Sequence, residues 1–122
     1  MPPDACARDD LVAEGYRRGV PMGGELSAMR DSDAAPVFVV AASRDPGTLA
    51  LPGTDLQRIQ LVKGWIDGDG RKHERVMDIA RANADGAGVN LDNCEPTGAG
   101  ARSLCGYWRD ADFDPQIGRA HV

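Results

Sequence analysis

The chain has few aromatic residues, few histidines and no long apolar run. Aromatic side chains make up 5% of its 122 residues, and histidine occurs twice. No segment approaches the roughly 20 apolar residues that a membrane-spanning helix requires, and the first residues lack the basic and apolar regions of a signal peptide. We therefore expect a thin core, and any export signal would have to lie upstream of Met1.

Basic residues are also scarce relative to acidic ones. The chain carries 14 lysines and arginines against 19 aspartates and glutamates, which gives a formal net charge of −5. Such a balance repels a phosphate backbone or an anionic bilayer on average. We therefore expect neither nucleic acid nor membrane as a partner, and no motif indicates a defined protein partner.

The three cysteines form no C-x-x-C pair, which argues against a zinc knuckle or a thioredoxin-like motif. Cys94 and Cys105 flank the glycine-rich segment "CEPTGAGARSLC", which is short enough to close as a disulfide in an oxidising compartment. Two separate thiols in a reducing compartment are the alternative. In the first case Cys6 is left over, which would indicate a partner beyond this chain.

Glycine and proline are abundant, with 15 and 8 copies, and they delimit the predicted elements. One short helix is predicted in "ARDDLVAEGYRRGVPMGGEL", where Asp9 or Asp10 can cap the first turn. Gly19 can take the left-handed conformation that ends a helix, and Pro21 prevents its continuation. The modest apolar face of this helix would consist of Leu11, Val12 and Tyr16.

Two apolar segments predict strands. The segment "PVFVVAAS", which begins at Pro36, is rich in β-branched residues and has the length of a buried strand. "SLCGYW", near the end, predicts one more strand, and the "RDADFDPQ" that follows is acidic and turn-like. Between them "RDPGTLALPGTD" is a turn-rich connection, and residues 81–101 show no apolar period and are predicted to be loop.

The most regular segment, "LQRIQLVKGWIDGDGRKHERVMDIA", predicts a β-hairpin. Apolar and polar residues alternate along both arms, and "DGDG" supplies glycines that can adopt a positive φ in the turn. A three-residue loop at 68–70 would place Ile59 opposite Ile79 and Leu61 opposite Met77. Both apolar pairs would then lie on one face.

A second register competes with this one. A two-residue turn at 69–70 would slip the pairing by one residue and place Leu61 opposite Asp78. We favour the three-residue loop, although it also brings two basic side chains, Lys63 and Arg75, close together. Taken as a whole, these elements predict a mainly β fold: a partial antiparallel β-sandwich with a β-hairpin, one short N-terminal helix and long Gly/Pro-rich loops.

No motif in the chain supports catalysis. His73 lies in the alternating second arm of the hairpin, where we interpret it as a strand-edge residue rather than a ligand. There is no H-x-H or H-E-x-x-H motif and no serine or cysteine nucleophile in an elbow context. "DGDG" lacks the further oxygen ligands of a calcium loop. We therefore predict no catalytic residue, no metal ligand and no cofactor in this chain itself.

One loop, "GVPMGGEL", has a functional alternative. Gly23 and Gly24 follow Pro21 and Met22 and would let the backbone pass close to a bulky group, where Glu25 would offer a carboxylate. An ordinary loop that joins the helix to a strand is the interpretation that we favour from the residues alone.

Several segments of the chain occur in a characteristic order: "GYRRGVPMGGEL", "RDPGT", "PGTDLQRIQLVKGWIDGDGRKHERVMDIA", "CEPTGAGARSLCGYW" and "DADFDP". In motif and order they resemble the C-terminal part of a bacterial family, domain of unknown function 3604, over about residues 6–115. Its members are longer, commonly look exported, and resemble the PHP (polymerase and histidinol phosphatase) group of metal-dependent phosphoesterases. The resemblance implies that residues 1–116 are an incomplete domain, the C-terminal β-rich region of a larger periplasmic or secreted protein.

The same resemblance implies a hydrolase in which clustered His, Asp and Glu residues hold divalent metal ions that activate water. Those ligands belong to upstream motifs that begin with an H-x-H element, and none matches a position here. This chain would complete the core and wall the substrate cleft, with the remainder of the parent chain as its partner. The expected cleft residues are Met22, Gly23, Gly24, Glu25, Arg44 and Asp45. Relatives more often carry Asp at the position of Glu25.

Two further expectations concern the chain as a whole. The alternative function is a stand-alone binding module, a small β-sandwich that recognises a ligand or a partner protein. At residues 117–122 the chain departs from the family, and "IGRAHV" is also the translation of a widely used sequencing adapter. We therefore expect 117–122 to be a non-native tail, in which case His121 does not belong to the natural protein.

Overall fold

The computed structural model describes residues 5–25, 35–83 and 87–113, so the expected tail at 117–122 lies outside the described residues. Within these ranges a 3-10 turn, Ala5–Ala7, precedes one helix and six strands. They are α1 (Leu11–Arg18), β1 (Val37–Ser43), β2 (Arg58–Ile66), β3 (Lys72–Arg81), β4 (Gly88–Val89), β5 (Pro96–Thr97) and β6 (Ser103–Arg109). Three two-stranded sheets pair β1 with β6, β2 with β3 and β4 with β5. The prediction of a mainly β fold with antiparallel strands and one short N-terminal helix is confirmed.

The chain divides into two units. Unit 1 comprises Met1–Val39, Val62–Val76 and Tyr107–Val122, and unit 2 comprises Val40–Leu61 and Met77–Gly106. Unit 1 therefore contains α1 and the loop of the β2–β3 hairpin, whereas unit 2 contains β4 and β5.

The β2–β3 hairpin closes through a three-residue loop at 68–70. The amide of Asp67 donates to the carbonyl oxygen of Arg71 at 3.0 Å, and the amide of Gly70 donates to the carbonyl oxygen of Asp67 at 3.0 Å. Gly70 has a φ of 80°, a left-handed conformation that glycine adopts readily. The predicted three-residue loop is confirmed, and the two-residue alternative is wrong.

This loop fixes the register of the hairpin. Counting outward from it places Ile59 opposite Ile79 in unit 2 and Trp65 opposite His73 in unit 1. The rings of Trp65 and His73 are stacked with their centroids 5.1 Å apart, which fits that register. Along β2, Ile59 is buried, and Leu61, Lys63 and Trp65 are partly buried. The residues that alternate with them are exposed. Alternation along β2 thus turns one face inward, as the sequence predicts.

Strands β1 and β6 are distant in sequence but pair as one antiparallel ribbon. In unit 2 the amide of Arg44 donates to the carbonyl oxygen of Arg102 at 2.9 Å. In unit 1 the amide of Asp110 donates to the carbonyl oxygen of Pro36 at 3.0 Å. The β-branched residues of β1 favour the extended backbone that this pairing requires. Both strands were predicted from their apolar runs, and both are present.

Both ends of helix α1 differ from the sequence expectation. Asp10 occupies the capping position but makes no side-chain hydrogen bond to the helix. Its carboxylate instead accepts two hydrogen bonds from the guanidinium group of Arg8, both at 2.8 Å. Gly19 has φ −103° and ψ 178°, an extended conformation, so the expected left-handed end is wrong. The helix ends because Pro21 follows closely, without help from a special glycine conformation.

The expected apolar face of α1 is not the buried face of the helix, although its first residue, Leu11, is half-buried. Val12 and Tyr16 are exposed, and the buried side chain of the helix is Glu14. Arg17 donates to both carboxylate oxygens of Glu14, and Arg18 adds a hydrogen bond at 3.1 Å. These pairs, three and four residues apart, lie on one helix face. The helix therefore buries a compensated charge instead of an apolar stripe.

A short hairpin lies where the sequence predicts only loop. Gly88 pairs with Thr97, and Val89 pairs with Pro96, as β4 and β5. The loop prediction for 81–101 is wrong at these positions because two-residue strands are too short to show a period of alternating apolar residues.

Candidate functional site

The first expected cleft loop forms a tight turn in unit 1. The amide of Gly24 donates to the carbonyl oxygen of Pro21 at 2.9 Å, and Gly23 has a φ of 83° at the third position. This is the pattern of a type II turn. Met22 is almost fully exposed at the second position, and Glu25 is exposed after the turn. The turn itself therefore explains the glycine at Gly23.

The second expected cleft pair, Arg44 and Asp45, stabilises the loop that follows β1 in unit 2. The Nη1 atom of Arg44 lies 2.5 Å from Oδ1 of Asp55 and donates to the carbonyl oxygen of Gly53 at 3.2 Å. The carboxylate of Asp45 accepts a hydrogen bond from the amide of Gly47 at 2.8 Å. The side chains of Arg44 and Asp45 therefore both stabilise the conformation of this loop.

The six expected cleft residues thus fall into two groups. Met22, Gly23, Gly24 and Glu25 belong to unit 1, whereas Arg44 and Asp45 belong to unit 2. Within each group the residues share one turn or one loop. Their position at a substrate cleft stays a prediction.

Four rings, each from a different strand, form a group with one lysine in unit 1, and we call this group the aromatic–lysine cluster. Its members are Phe38 of β1, Lys63 and Trp65 of β2, His73 of β3 and Trp108 of β6. The rings of Phe38 and Trp108 stack with centroids 5.8 Å apart. The Nζ atom of Lys63 lies 5.3 Å from the ring centroid of Trp65 and 5.8 Å from that of Trp108. These are cation–π distances, so the cluster joins the two ribbons through both ring packing and charge.

Asp110, directly after β6, neutralises Lys63. The Nζ atom lies 2.7 Å from Oδ1 and 2.6 Å from Oδ2 of Asp110. Asp110 is only 3% exposed, so its carboxylate has lost most of its hydration and depends on the ammonium group for compensation. The repulsion expected between Lys63 and Arg75 is relieved, because Arg75 pairs at 3.4 Å with a second carboxylate, that of Asp112.

The histidine of the cluster is held by a carboxylate from the hairpin loop. The Nε2 atom of His73 lies 2.8 Å from Oδ2 of Asp67. This hydrogen bond, together with those from the amides of Arg71 and Asp69, lowers the pKa of Asp67 below its ordinary value. Since the ring of His73 also stacks on Trp65, the contacts of His73 are those of a residue that stabilises the hairpin.

A comparable carboxylate lies on β3 in unit 2. Asp78 accepts a hydrogen bond from Nε2 of Gln60 at 2.8 Å and is also paired with Arg81. The hydrogen bonds from Gln60 and Arg81 lower the pKa of Asp78. Asp78 therefore links the two strands of the hairpin as an ionised group.

Side chains that could bind a metal ion are dispersed over the described ranges. Across residues 5–25, 35–83 and 87–113, no three His, Cys, Asp or Glu side chains are grouped so that they could hold a metal ion. In the same ranges no helix has the length and apolar character needed to cross a membrane.

The sequence left open a Cys94–Cys105 disulfide or separate thiols, and the disulfide alternative is wrong. Cys6 and Cys105 are both disulfide-bonded, whereas Cys94 is a free, exposed thiol. Cys94 lies in a turn with a φ of 60°, and its amide donates to the carbonyl oxygen of Asn90 at 2.8 Å. Cys94 and Cys105 are close along the chain, but a disulfide depends on the distance between Cα atoms in space.

The aromatic–lysine cluster is not predicted as a group from the sequence. Both tryptophans of the chain belong to it. One signal was available: Lys63 lies on the inward face of an alternating strand, where an ammonium group requires a carboxylate partner. The sequence could not identify Asp110 as that partner, because β2 and β6 meet only in the folded chain.

The chain matches a known protein family. A protein-family model described as "Protein of unknown function (DUF3604)" matches residues 1–120. No curated protein and no solved structure matches the chain.

Proposed function

Because the chain belongs to the DUF3604 family, whose function is unknown, we propose that it is a non-catalytic, β-rich structural module of a PHP-like metal-dependent hydrolase. In this role it is the C-terminal region of a longer parent chain, where it completes the core and walls the substrate cleft. The loops of Met22 to Glu25 and of Arg44 and Asp45 line that cleft. The resemblance to PHP phosphoesterases indicates that the parent protein hydrolyses a phosphate ester.

One observation carries this proposal: large apolar side chains are exposed while few are buried. Among the described residues, Ala5 and Ile59 are the buried hydrophobic residues. By contrast, Leu49, Leu51 and Leu91 are 78–107% exposed. Burying a leucine side chain stabilises a protein by about 1.5–3 kcal/mol. The exposure of these three leucines therefore favours a further protein surface that covers them. We assign that surface to the remainder of the parent chain.

The charged side chains support a structural role. Lys63, His73 and Arg44 each pair with a carboxylate of the same unit. These carboxylates belong to Asp110, Asp67 and Asp55. A group that already holds strands or a loop together would have to break that contact to transfer a proton. The divalent metal ions of the parent are held by its upstream motifs, and we assign none of their ligands to this chain.

Disulfide bonding at Cys6 and Cys105 supports a periplasmic or secreted parent. Disulfides form and persist in oxidising compartments and are rare in the cytosol. This location also agrees with a family whose members commonly look exported.

A phosphoesterase assay tests the non-catalytic part of the proposal. The purified chain is treated with a chelator and then supplied separately with Mg²⁺, Mn²⁺ and Zn²⁺, and phosphomonoesters and phosphodiesters are offered as substrates. In every condition we expect the substrates to be hydrolysed no faster than in buffer without protein. Metal-dependent turnover by the chain alone would overturn the proposal.

A reconstitution experiment tests the structural part. The upstream region of a family member is expressed separately, and the purified chain is added to it. We expect the melting temperature and the phosphoesterase activity of the upstream region to rise. The double variant Leu49→Asp, Leu51→Asp should lose this effect, whereas Arg71→Glu, a matched control at an exposed loop position, should retain it. Absence of any effect with the unchanged chain would contradict a structural role.

Amide exchange separates this role from a stand-alone binding module. A module with a closed core should protect the amides of residues 56–80 for hours, whereas a region that depends on the rest of a parent should exchange them quickly. Long protection in the isolated chain, together with a cooperative melt at high temperature, would favour the binding module.

A further inference from the structure

The outer face of the β2–β3 hairpin in unit 1 is apolar and exposed. Side chains alternate between the two faces of a strand, so those pointing away from the aromatic–lysine cluster include Val62, Ile66 and Val76. Each of these is 52–58% exposed. A ribbon with apolar residues on both faces is typical of a sheet that is covered on both sides. The inner face is covered by this chain, and the outer face requires another surface.

Gly64 leaves a gap in the same face. Its φ is not positive, and a Cβ placed there would meet only the carbonyl oxygen of His73, at an ordinary contact distance of 3.8 Å. The described residues therefore do not require glycine at this position, although glycine weakens a strand. Such a glycine fits the close approach of a group from another surface.

The outer face also carries one exposed charge of each sign, Lys72 and Glu74. Neither side chain has an ion-pair or hydrogen-bond partner in the described part of the chain. By the register of the hairpin, Gly64 lies opposite Glu74, and Ile66 lies opposite Lys72. We call each of these cross-strand pairs a row. The row of Gly64 and Glu74 combines a gap with a negative charge. The neighbouring row of Ile66 and Lys72 combines a protruding apolar side chain with a positive charge.

We propose that this face binds the same face of a second copy of the chain. A two-fold axis in the interface, perpendicular to the strands and between the two rows, exchanges one row for the other. Ile66 of each copy then lies over Gly64 of the other copy, and Lys72 of each lies over Glu74 of the other. A two-fold interface requires such self-complementarity, and a single rotation here matches both shape and charge.

The contact goes beyond the structural role proposed above and does not depend on it. Six residues form a smaller contact than the roughly 1,600 Å² of a standard interface, so the association is weak and rises with protein concentration. The net charge of −5 opposes association, and physiological ionic strength screens that repulsion.

Sedimentation velocity over a range of concentrations, at physiological ionic strength, tests the proposal. We expect the average mass of the unchanged chain to rise from that of a monomer towards that of a dimer. Gly64→Val fills the gap, and it should abolish this rise while the circular dichroism spectrum is retained. Leu49→Ser removes an apolar side chain that is even more exposed and lies outside the face, and it should associate like the unchanged chain. A monomer at every concentration, or loss of association in Leu49→Ser, would overturn the proposal.

Charge reversal provides a second test that does not alter the packing. Lys72→Glu and Glu74→Lys should each weaken association by at least about tenfold, because each creates two like-charge contacts across the two-fold axis. An equal mixture of the two variants should associate again, since opposite charges then face each other in a heterodimer. If the mixture stays monomeric while the unchanged chain dimerises, the proposed geometry is wrong.

Discussion

At the residue scale, the contact with the largest expected effect on stability joins Lys63 to Asp110. The ammonium group lies 5.3 and 5.8 Å from the centroids of two tryptophan rings and 2.6 Å from a carboxylate that is almost completely buried. A buried ion pair contributes little by its presence, because both partners lose hydration. Removal of one partner is costly, since the other charge then remains buried without compensation.

The variant Lys63→Met should therefore lower the free energy of unfolding by about 2–3 kcal/mol. Urea denaturation followed by tryptophan fluorescence measures this loss. Adding Asp110→Asn to the variant should recover part of it, because the uncompensated charge is then removed. The control is Arg71→Met, which breaks an ion pair with Asp69 in which both side chains are 75% exposed. It should change the free energy by less than about 0.5 kcal/mol, and equal losses in both variants would contradict the argument.

A second residue-scale prediction concerns Gly64 and Gly106, the glycines of the long strands β2 and β6. A Cβ at Gly106 would lie 2.5 Å from the carbonyl oxygen of Ile79, a backbone atom that cannot move aside alone. Gly106→Ala should destabilise the chain by about 1–3 kcal/mol, as measured by urea denaturation. Gly64→Ala, at a strand glycine with space around it, is the matched control and should be neutral or slightly stabilising. The reverse order of the two variants would show that close packing at Gly106 is not the cause.

At the scale of elements, local pattern predicts the strands but not their pairing. The β2–β3 hairpin follows from alternation along the arms and from the glycines of "DGDG", all within one segment, and its register is confirmed. The pairing of β1 with β6 joins segments that are separated by residues 44–102, and neither segment contains information about its distance from the other. The same limit applies to Asp110 and to Cys105, whose partners depend on the folded arrangement. In α1 the apolar pattern was too short to outweigh the compensated burial of Glu14.

The hairpin loop gives a prediction at this scale. Gly70 has a φ of 80°, whereas Gly68 has no positive φ, and neither would bring a Cβ within 4 Å of another group. Gly70→Ala should lower the free energy of unfolding by about 1 kcal/mol, because an alanine side chain disfavours the left-handed conformation. Gly68→Ala has the same change in composition and should have a smaller effect. Thermal denaturation of the two variants measures the difference, and equal effects would argue against the three-residue loop.

At the scale of the whole molecule, ionised carboxylates stabilise both units. Asp10, Glu14 and Asp67 in unit 1 and Asp78 in unit 2 all have a lowered pKa. The largest causes are side-chain hydrogen bonds from Arg8, Arg17, His73 and Gln60. Because each carboxylate is partnered in the folded chain, protonation of these groups favours the unfolded chain in both units.

Acid denaturation tests this consequence. A carboxyl group whose pKa is lower in the folded chain contributes stability above its unfolded pKa of about 4, and that stability is lost as the pH falls through the lowered value. We therefore expect the melting temperature to change little through these four groups between about pH 7 and pH 5, and to fall steeply below about pH 4. Asp67→Asn and Asp78→Asn should each reduce the steepness, since each removes one titrating carboxylate. Lys72→Gln removes a charge but no carboxylate. It should leave the fall of the melting temperature below about pH 4, which we call the acid slope, unchanged. An acid slope that survives in both aspartate variants would mean that hydrogen bonding to these carboxylates does not stabilise the fold.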